Sequence, residues 1–360
     1  MYFKNAKLTL GIVSGLVFGL VATGAPTYAL STQESGDPEL LNTVRPLLDP
    51  AKYNNVSVGL VDGNTNQIKT AHFGSNDSTE YEIGSISKTF AGNLYAVALE
   101  KGEVQHNSKI GSILPIGTGF MFPTGNRTLD ELASHRAGLP SFPATPGAQS
   151  QVLLYALTGR SVHFTQNDLV SHAQATFYLP GVGTGQYSNM GMALLGQGLA
   201  KAANTDYKSL ITSRMFAPMG LSQTYIAINQ SDVAPEKPRG TRDDGTIAQA
   251  SAFGSYAPAG SVRSTTTDMT KYLSKLLKNE VPGEDSVTPR WDLGGGTSVG
   301  YSWFTDQATG RVSHNGLTAG YGALLTFDKA TNQGVIVMAD RPRSEIAEDR
   351  LTYTILDANL

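Results

Sequence analysis

What most limits the fold of this chain is the position of its strand-forming segments, which lie at the two ends with helical pattern between them. Val56 to Val61 and Gln67 to Phe73 read as strands, joined across Asp62-Gly63-Asn64, a hairpin signal. Strand patterns return only at Tyr301 to Thr305, Arg311 to His314, Tyr321 to Phe327 and Gly334 to Ala339, with Ala330-Thr331-Asn332-Gln333 as the last turn. Separate sheets at each end would leave apolar faces uncovered, so one antiparallel sheet built from both ends is the economical arrangement. The expected class is α/β (α+β), a central antiparallel sheet flanked by helices plus a mainly helical domain.

The helices follow from spacing and from their caps. Asp37-Pro38 is a start signal, and Leu41, Val44 and Leu48 then share one face, with Pro46 interrupting the run. Ser87 to Leu99 is a well-formed helix. From 104 to 260, Gly and Pro punctuate short helical pieces at Leu129–Ser134, Asn167–Gln174, Met190–Ala203 and Tyr207–Met215. Thr266–Leu277 and Glu345–Leu356 complete the set, and residues 30–36 read as a loose segment. The expected organisation is a single hydrolase domain over 30–360, with a sheet region at about 38–103 and 262–360 and a helical region at about 104–261.

Composition excludes several function classes. The 360 residues are 40% hydrophobic and 16% charged with a net charge of −3, and no basic run suggests nucleic acid as a partner. Cysteine is absent, which removes Cys nucleophiles and thiolate metal sites. Lys4 and Lys7, the apolar Leu8–Val21 and the small residues around Thr27-Tyr28-Ala29 read as a signal peptide over 1–29, cleaved after Ala29. An uncleaved anchor is the alternative. Cleavage leaves no stable membrane span and an exported protein, periplasmic or secreted.

Three short motifs bear on chemistry. Glu82-Ile83-Gly84-Ser85-Ile86-Ser87-Lys88 contains the chain's only Ser-x-x-Lys, at a helix start. A three-residue spacing puts both side chains on one face, so Lys88 can take the proton that keeps the Ser85 hydroxyl a weak nucleophile. Gln186-Tyr187-Ser188-Asn189-Met190 precedes another helix. Tyr187 offers a phenol that relays protons if cations lower its pKa, and Asn189 offers donors and an acceptor for a substrate amide. Ser313-His314-Asn315-Gly316-Leu317 ends a strand. There a basic residue can face a substrate carboxylate, and Gly316 lets a substrate backbone lie close. The Leu317 and Ser85 amides can form an oxyanion hole.

Order, spacing and setting together match the serine penicillin-recognising set. The chain resembles class C β-lactamases and the related DD-peptidases and esterases. Gly84–Phe90 is similar to the class C nucleophile segment, and Tyr187-Ser188-Asn189 to their Tyr-x-Asn. Ser134-His135-Arg136-Ala137-Gly138-Leu139-Pro140 looks like a structural segment of DD-peptidases and esterase-like relatives. Phe216–Leu221 and Pro258–Val262 through Asp268 also match family landmarks. The resemblance implies catalysis by Ser85, Lys88 and Tyr187, with Asn189, His314, Gly316 and Leu317 binding substrate. No metal or cofactor is expected. It implies an acyl-serine intermediate and, as substrates, D-alanyl-ended peptidoglycan peptides or β-lactams. A class C β-lactamase, an esterase and a non-enzymatic penicillin-binding sensor stay open.

One departure stands out. Class C enzymes place Lys where this chain has His314, and Thr or Ser where it has Asn315. An unperturbed histidine is mostly neutral at pH 7, so His314 is expected to become a cation for a substrate carboxylate only below about pH 6.5. A rival reading, the Gly296-Thr297-Ser298-Val299-Gly300 elbow of α/β-hydrolases, lacks its strand-before and helix-after context. A zinc site fares no better, because His135, His163 and His172 are scattered and read as ordinary core or surface histidines.

Overall fold

A strand that is apolar along most of its length needs cover on both faces. Gln333–Ala339 is such a strand, buried along its whole length and paired on both sides within the main sheet. The computed structural model describes residues 28–342, 349–358 and 360. Among them the strands are β1 (Glu34–Gly36), β2 (Val56–Asp62), β3 (Gln67–Phe73), β4 (Tyr81–Glu82), β5 (Tyr225–Ile226), β6 (Val262–Ser264), β7 (Trp291–Gly294), β8 (Thr297–Val299), β9 (Phe304–Asp306), β10 (Val312–Leu317), β11 (Gly322–Asp328) and β12 (Gln333–Ala339). Nine form one antiparallel sheet in the order β1-β3-β2-β12-β11-β10-β9-β8-β7. The two ends of the chain meet where β2 pairs with β12, from Val56 opposite Ala339 to Asp62 opposite Gln333.

Alternation along these strands sends side chains to two cores. Val58, Leu60, Leu324, Val335 and Val337 pack with Leu40, Leu41 and Val44 of helix Pro38–Val44 and with Leu351 and Ile355 of the C-terminal helix Asp349–Asp357. Leu325, Phe327, Ile336 and Met338 point the other way. They join Phe90 and Leu94 of helix Ser87–Glu100, Leu195 of helix Asn189–Ala202, and Met269, Tyr272 and Leu273 of helix Thr266–Leu277. Each large apolar side chain buried this way contributes about 1.5–3 kcal/mol. The result is a sheet between helical layers, with the helical middle of the chain against one face.

A second sheet, ordered β4-β6-β5, leads into the serine motif. Arg263 on β6 is fully buried between Glu80 and Glu82, with its Nη1 donating to Glu82 Oε1 at 2.7 Å. Ile83 N–H, just past β4, donates to the Val262 carbonyl at 3.1 Å. The backbone is therefore held on β6 two residues before Ser85.

The structure departs from the sequence reading in several places: the second sheet is not expected, and the strand expected at Tyr301–Thr305 forms only over Phe304–Asp306. Residues 34–36 are an edge strand rather than loose chain, paired with β3 from Glu34 opposite Phe73 to Gly36 opposite Ala71. The three residues are exposed, so it is the open edge of β3 that makes them a strand. The β7–β8 hairpin turns through Gly294-Gly295-Gly296, all at positive φ, and was not anticipated as a strand pair. Helix Pro146–Thr158, mostly exposed, was also unexpected. Tyr207–Met215 is helical only to Ile211 and then widens into a π turn over Thr212–Phe216. Most of the signal-peptide reading and the start of helix Glu345–Leu356 lie outside the described residues. No helix among the described residues is long and apolar enough to cross a membrane.

Candidate active site

Ser85 sits in a 3₁₀ turn, Gly84–Ile86, that runs directly into helix Ser87–Glu100. Three residues per turn eclipses positions i and i+3, and this brings Lys88 over Ser85. Lys88 Nζ lies 2.8 Å from Ser85 Oγ and donates to the Ala259 carbonyl at 2.5 Å. The side chain has no exposure, and burial holds its pKa well below the ordinary lysine range. The lowered pKa makes Lys88 readier than an ordinary lysine to give up its own proton and take that of Ser85.

Strand β10 forms the second wall. Beyond Ser313 its β9-side edge has no strand partner among the described residues, since β9 pairs only with Val312 and Ser313. The strand lies hard against the serine turn. A Cβ on Gly316 would fall 1.9 Å from the Ile83 carbonyl oxygen and 3.0 Å from Ser85 N. Gly84, at φ 50°, faces Leu317 N, which a Cβ would approach to 2.7 Å. Both positions require glycine, and the contact brings the Leu317 and Ser85 amides to the same junction.

The third wall is the turn before helix Asn189–Ala202. Ser188 caps that helix: its hydroxyl accepts from Gly191 N–H and donates to the Pro140 carbonyl, at 2.8 and 2.7 Å. Asn189 Nδ2 donates to Ser141 Oγ at 2.8 Å. The cap aims Tyr187 inward, with Lys88 Nζ 4.8 Å from its ring centroid. Burial raises the Tyr187 pKa above its usual value, partly offset by a hydrogen bond with Ser85. The expected lowering by a nearby cation does not occur, because the cost of burying a phenolate dominates. Tyr187 is a phenol at neutral pH, and Lys88 is the stronger proton acceptor.

His314 also differs from expectation. It is 1% exposed, and burial together with Lys88 pushes its pKa down to about 3. Its Nδ1 lies 2.7 Å from the Asn315 carbonyl, which can only accept, so the proton is on Nδ1. Nε2 is buried without a partner. The residue is thus a neutral imidazole across pH 5–8, with no charge of its own for a carboxylate.

The structure adds one residue that the sequence reading set aside. His135 is buried beside the site, its ring 4.5 Å from Tyr187 and 5.9 Å from Phe304. Burial, Lys88 and His314 hold its pKa well below the ordinary histidine range. Its one signal in the sequence is the family-like segment Ser134–Pro140 that contains it.

The other serine and histidine candidates lie elsewhere in the fold. Ser298 lies within strand β8 and accepts from Gln307 Nε2 at 2.8 Å, so it is on no nucleophile elbow. His72 bonds Ser57 and Asp77, and His172 bonds the Tyr256 hydroxyl. No three potential metal-binding side chains converge among the described residues. Ser85, Lys88, Tyr187, His314, Gly316 and Leu317 do converge, with Asn189 at the adjoining helix start. A hydroxyl beside an amine of lowered pKa, a neighbouring phenol and two nearby amides are the parts acyl transfer uses.

Comparison with known proteins agrees. A β-lactamase from Lysobacter lactamgenus is 23% identical over 93% of this chain and 95% of its own length. One from Providencia stuartii is 29% identical over 64% of this chain, which spans about half (54%) of that relative. The putative penicillin-binding protein PbpX of Bacillus subtilis is 21% identical over 74% of this chain and 63% of its own. The class C β-lactamase of Rhodobacter sphaeroides shares the fold, with a TM-score of 0.74 and 19% identity over 90% of this chain and 99% of that one. Another class C β-lactamase gives 0.75 and 17% over 89% and 96%. The family model for Beta-lactamase matches residues 40–360, and the chain belongs to that family of serine hydrolases.

Proposed function

We propose that the protein is an exported hydrolase that forms an acyl-enzyme on Ser85 and acts on D-alanyl-ended peptidoglycan peptides, β-lactams or both. The observation that supports this most is Lys88 Nζ, desolvated and 2.8 Å from Ser85 Oγ. Lys88 takes the hydroxyl proton as Oγ attacks the substrate carbonyl. The Ser85 and Leu317 amides hold the oxyanion. Tyr187 gives its phenol proton to the leaving group and regains one from Lys88; water then attacks the acyl group, losing its proton to the Lys88–Tyr187 pair, and Ser85 Oγ leaves and takes that proton back. Asn189 and the β10 edge at His314–Gly316 orient the substrate. The names of the relatives, β-lactamases and a penicillin-binding protein, support the substrate class.

Hydrolysis of neutral esters is a second reading, favoured by the buried, uncharged His314, which brings no cation to a substrate carboxylate. A fluorescent penicillin followed over time tests both. Lasting label marks a slow DD-peptidase-like acyl-enzyme, and label that forms and clears marks a β-lactamase. No label together with p-nitrophenyl ester hydrolysis marks the esterase.

A further inference from the structure

His135 has a backbone conformation that few non-glycine residues adopt. Its φ is 58°, a left-handed conformation that costs most side chains on the order of 1 kcal/mol or more and is met, outside Gly, mainly at Asn, Asp and His. A buried histidine held this way needs a structural reason, and its contacts supply one. The His135 carbonyl accepts from Gln186 N–H at 2.8 Å. Its ring Nδ1 is 3.3 Å from Ser188 N–H, which can only donate. The two residues flanking Tyr187 are therefore both tied to His135, one to its backbone and one to its ring. Between these ties the His135 ring lies 4.5 Å from the Tyr187 ring, tilted by 35°. The ring's far side is nearly parallel to Phe304, at 4°.

We propose that His135 is the positioning residue for Tyr187, a two-point clamp that fixes the phenol against Ser85 and Lys88. The inference rests on the acyl-serine reading above, in which Tyr187 moves a proton. His135 itself takes no proton in this account. With Nδ1 accepting from Ser188, the neutral ring carries its proton on Nε2, which is buried and unpartnered. Its charged form is disfavoured above all by burial. The left-handed backbone is what allows carbonyl and ring to reach the same three-residue segment. Displacing a reacting group by about 1 Å can cost on the order of 100-fold in rate, so the clamp has leverage without touching substrate.

The test separates positioning from general stability. His135→Gly relieves the backbone strain but removes the ring clamp. It should lower the acylation rate by on the order of 10–100-fold, with little change in non-covalent substrate affinity. His135→Asn accepts the same backbone conformation and places Oδ1 where Nδ1 stands, so it should recover most of that loss. Tyr187→Phe is the decisive background, because groups acting as a unit are non-additive. There His135→Gly should cost no more than about twofold. Equal losses with and without the Tyr187 hydroxyl, or no rescue by Asn in a protein that unfolds at the wild-type temperature, overturn the proposal. Wild-type protein that takes no label on Ser85 refutes instead the functional reading on which it rests.

Discussion

The buried His314 makes a prediction that reaches beyond catalysis. Its folded pKa is about 3 against an ordinary 6.5, so the native state refuses a proton that the unfolded chain accepts. As pH falls through 6.5 the unfolded state binds protons first, and native stability falls until the pH nears 3. At about 1.36 kcal/mol per pH unit, the stretch from 6.5 to 5 costs about 2 kcal/mol from this one side chain. His135, buried beside it, shifts in the same direction, so wild-type acid sensitivity alone does not isolate His314. His314→Asn does, because its amide can donate to the Asn315 carbonyl as Nδ1 does, and it does not titrate. Urea unfolding of both proteins at pH 7.5 and pH 5 reads the effect. The wild type should lose about 2 kcal/mol more than the variant over that interval, whatever the variant's absolute stability. Equal losses would mean that His314 titrates normally and is not desolvated as described.

Two further predictions concern the chemistry. Lys88→Ala and Tyr187→Phe should each lower kcat/KM by on the order of 10²–10⁴, the range of general acid–base catalysis, with the double variant little worse than either. Multiplying losses in steady-state kinetics would show that the two do not share one proton path. Gly316→Ala should lower acylation by on the order of 10²–10³, the cost of a lost oxyanion donor, because its Cβ would meet the Ile83 carbonyl at 1.9 Å and push β10 off the serine turn. Unchanged rates would remove β10 from the site.

Much of this architecture was legible because it is written in local pattern. Asp62-Gly63 between two apolar runs gives the β2–β3 hairpin, and the continuous apolar run Gly334–Ala339 gives the central strand. The serine turn was legible because Ser85 and Lys88 interact over three residues. What the sequence concealed depends on distant partners. β1 has no apolar alternation and exists because β3 offers an edge. His135 matters because the fold carries residues 186–188 to it, and no local spacing announces that. The burial of His314 is legible in the strand itself. Val312, His314 and Gly316 fall on the buried face of β10, and Asn315 and Leu317 on the exposed one, a period-2 pattern that places the imidazole inside.

The account stands on Ser85 as the nucleophile. Intact-mass analysis after treatment with a β-lactam or a fluorophosphonate, followed by peptide mapping, tests this directly. One adduct per chain should map to Ser85, and Ser85→Ala should take none while Ser298→Ala labels like the wild type. An adduct mapped to any other residue, or full labelling of the Ser85→Ala protein, would contradict it.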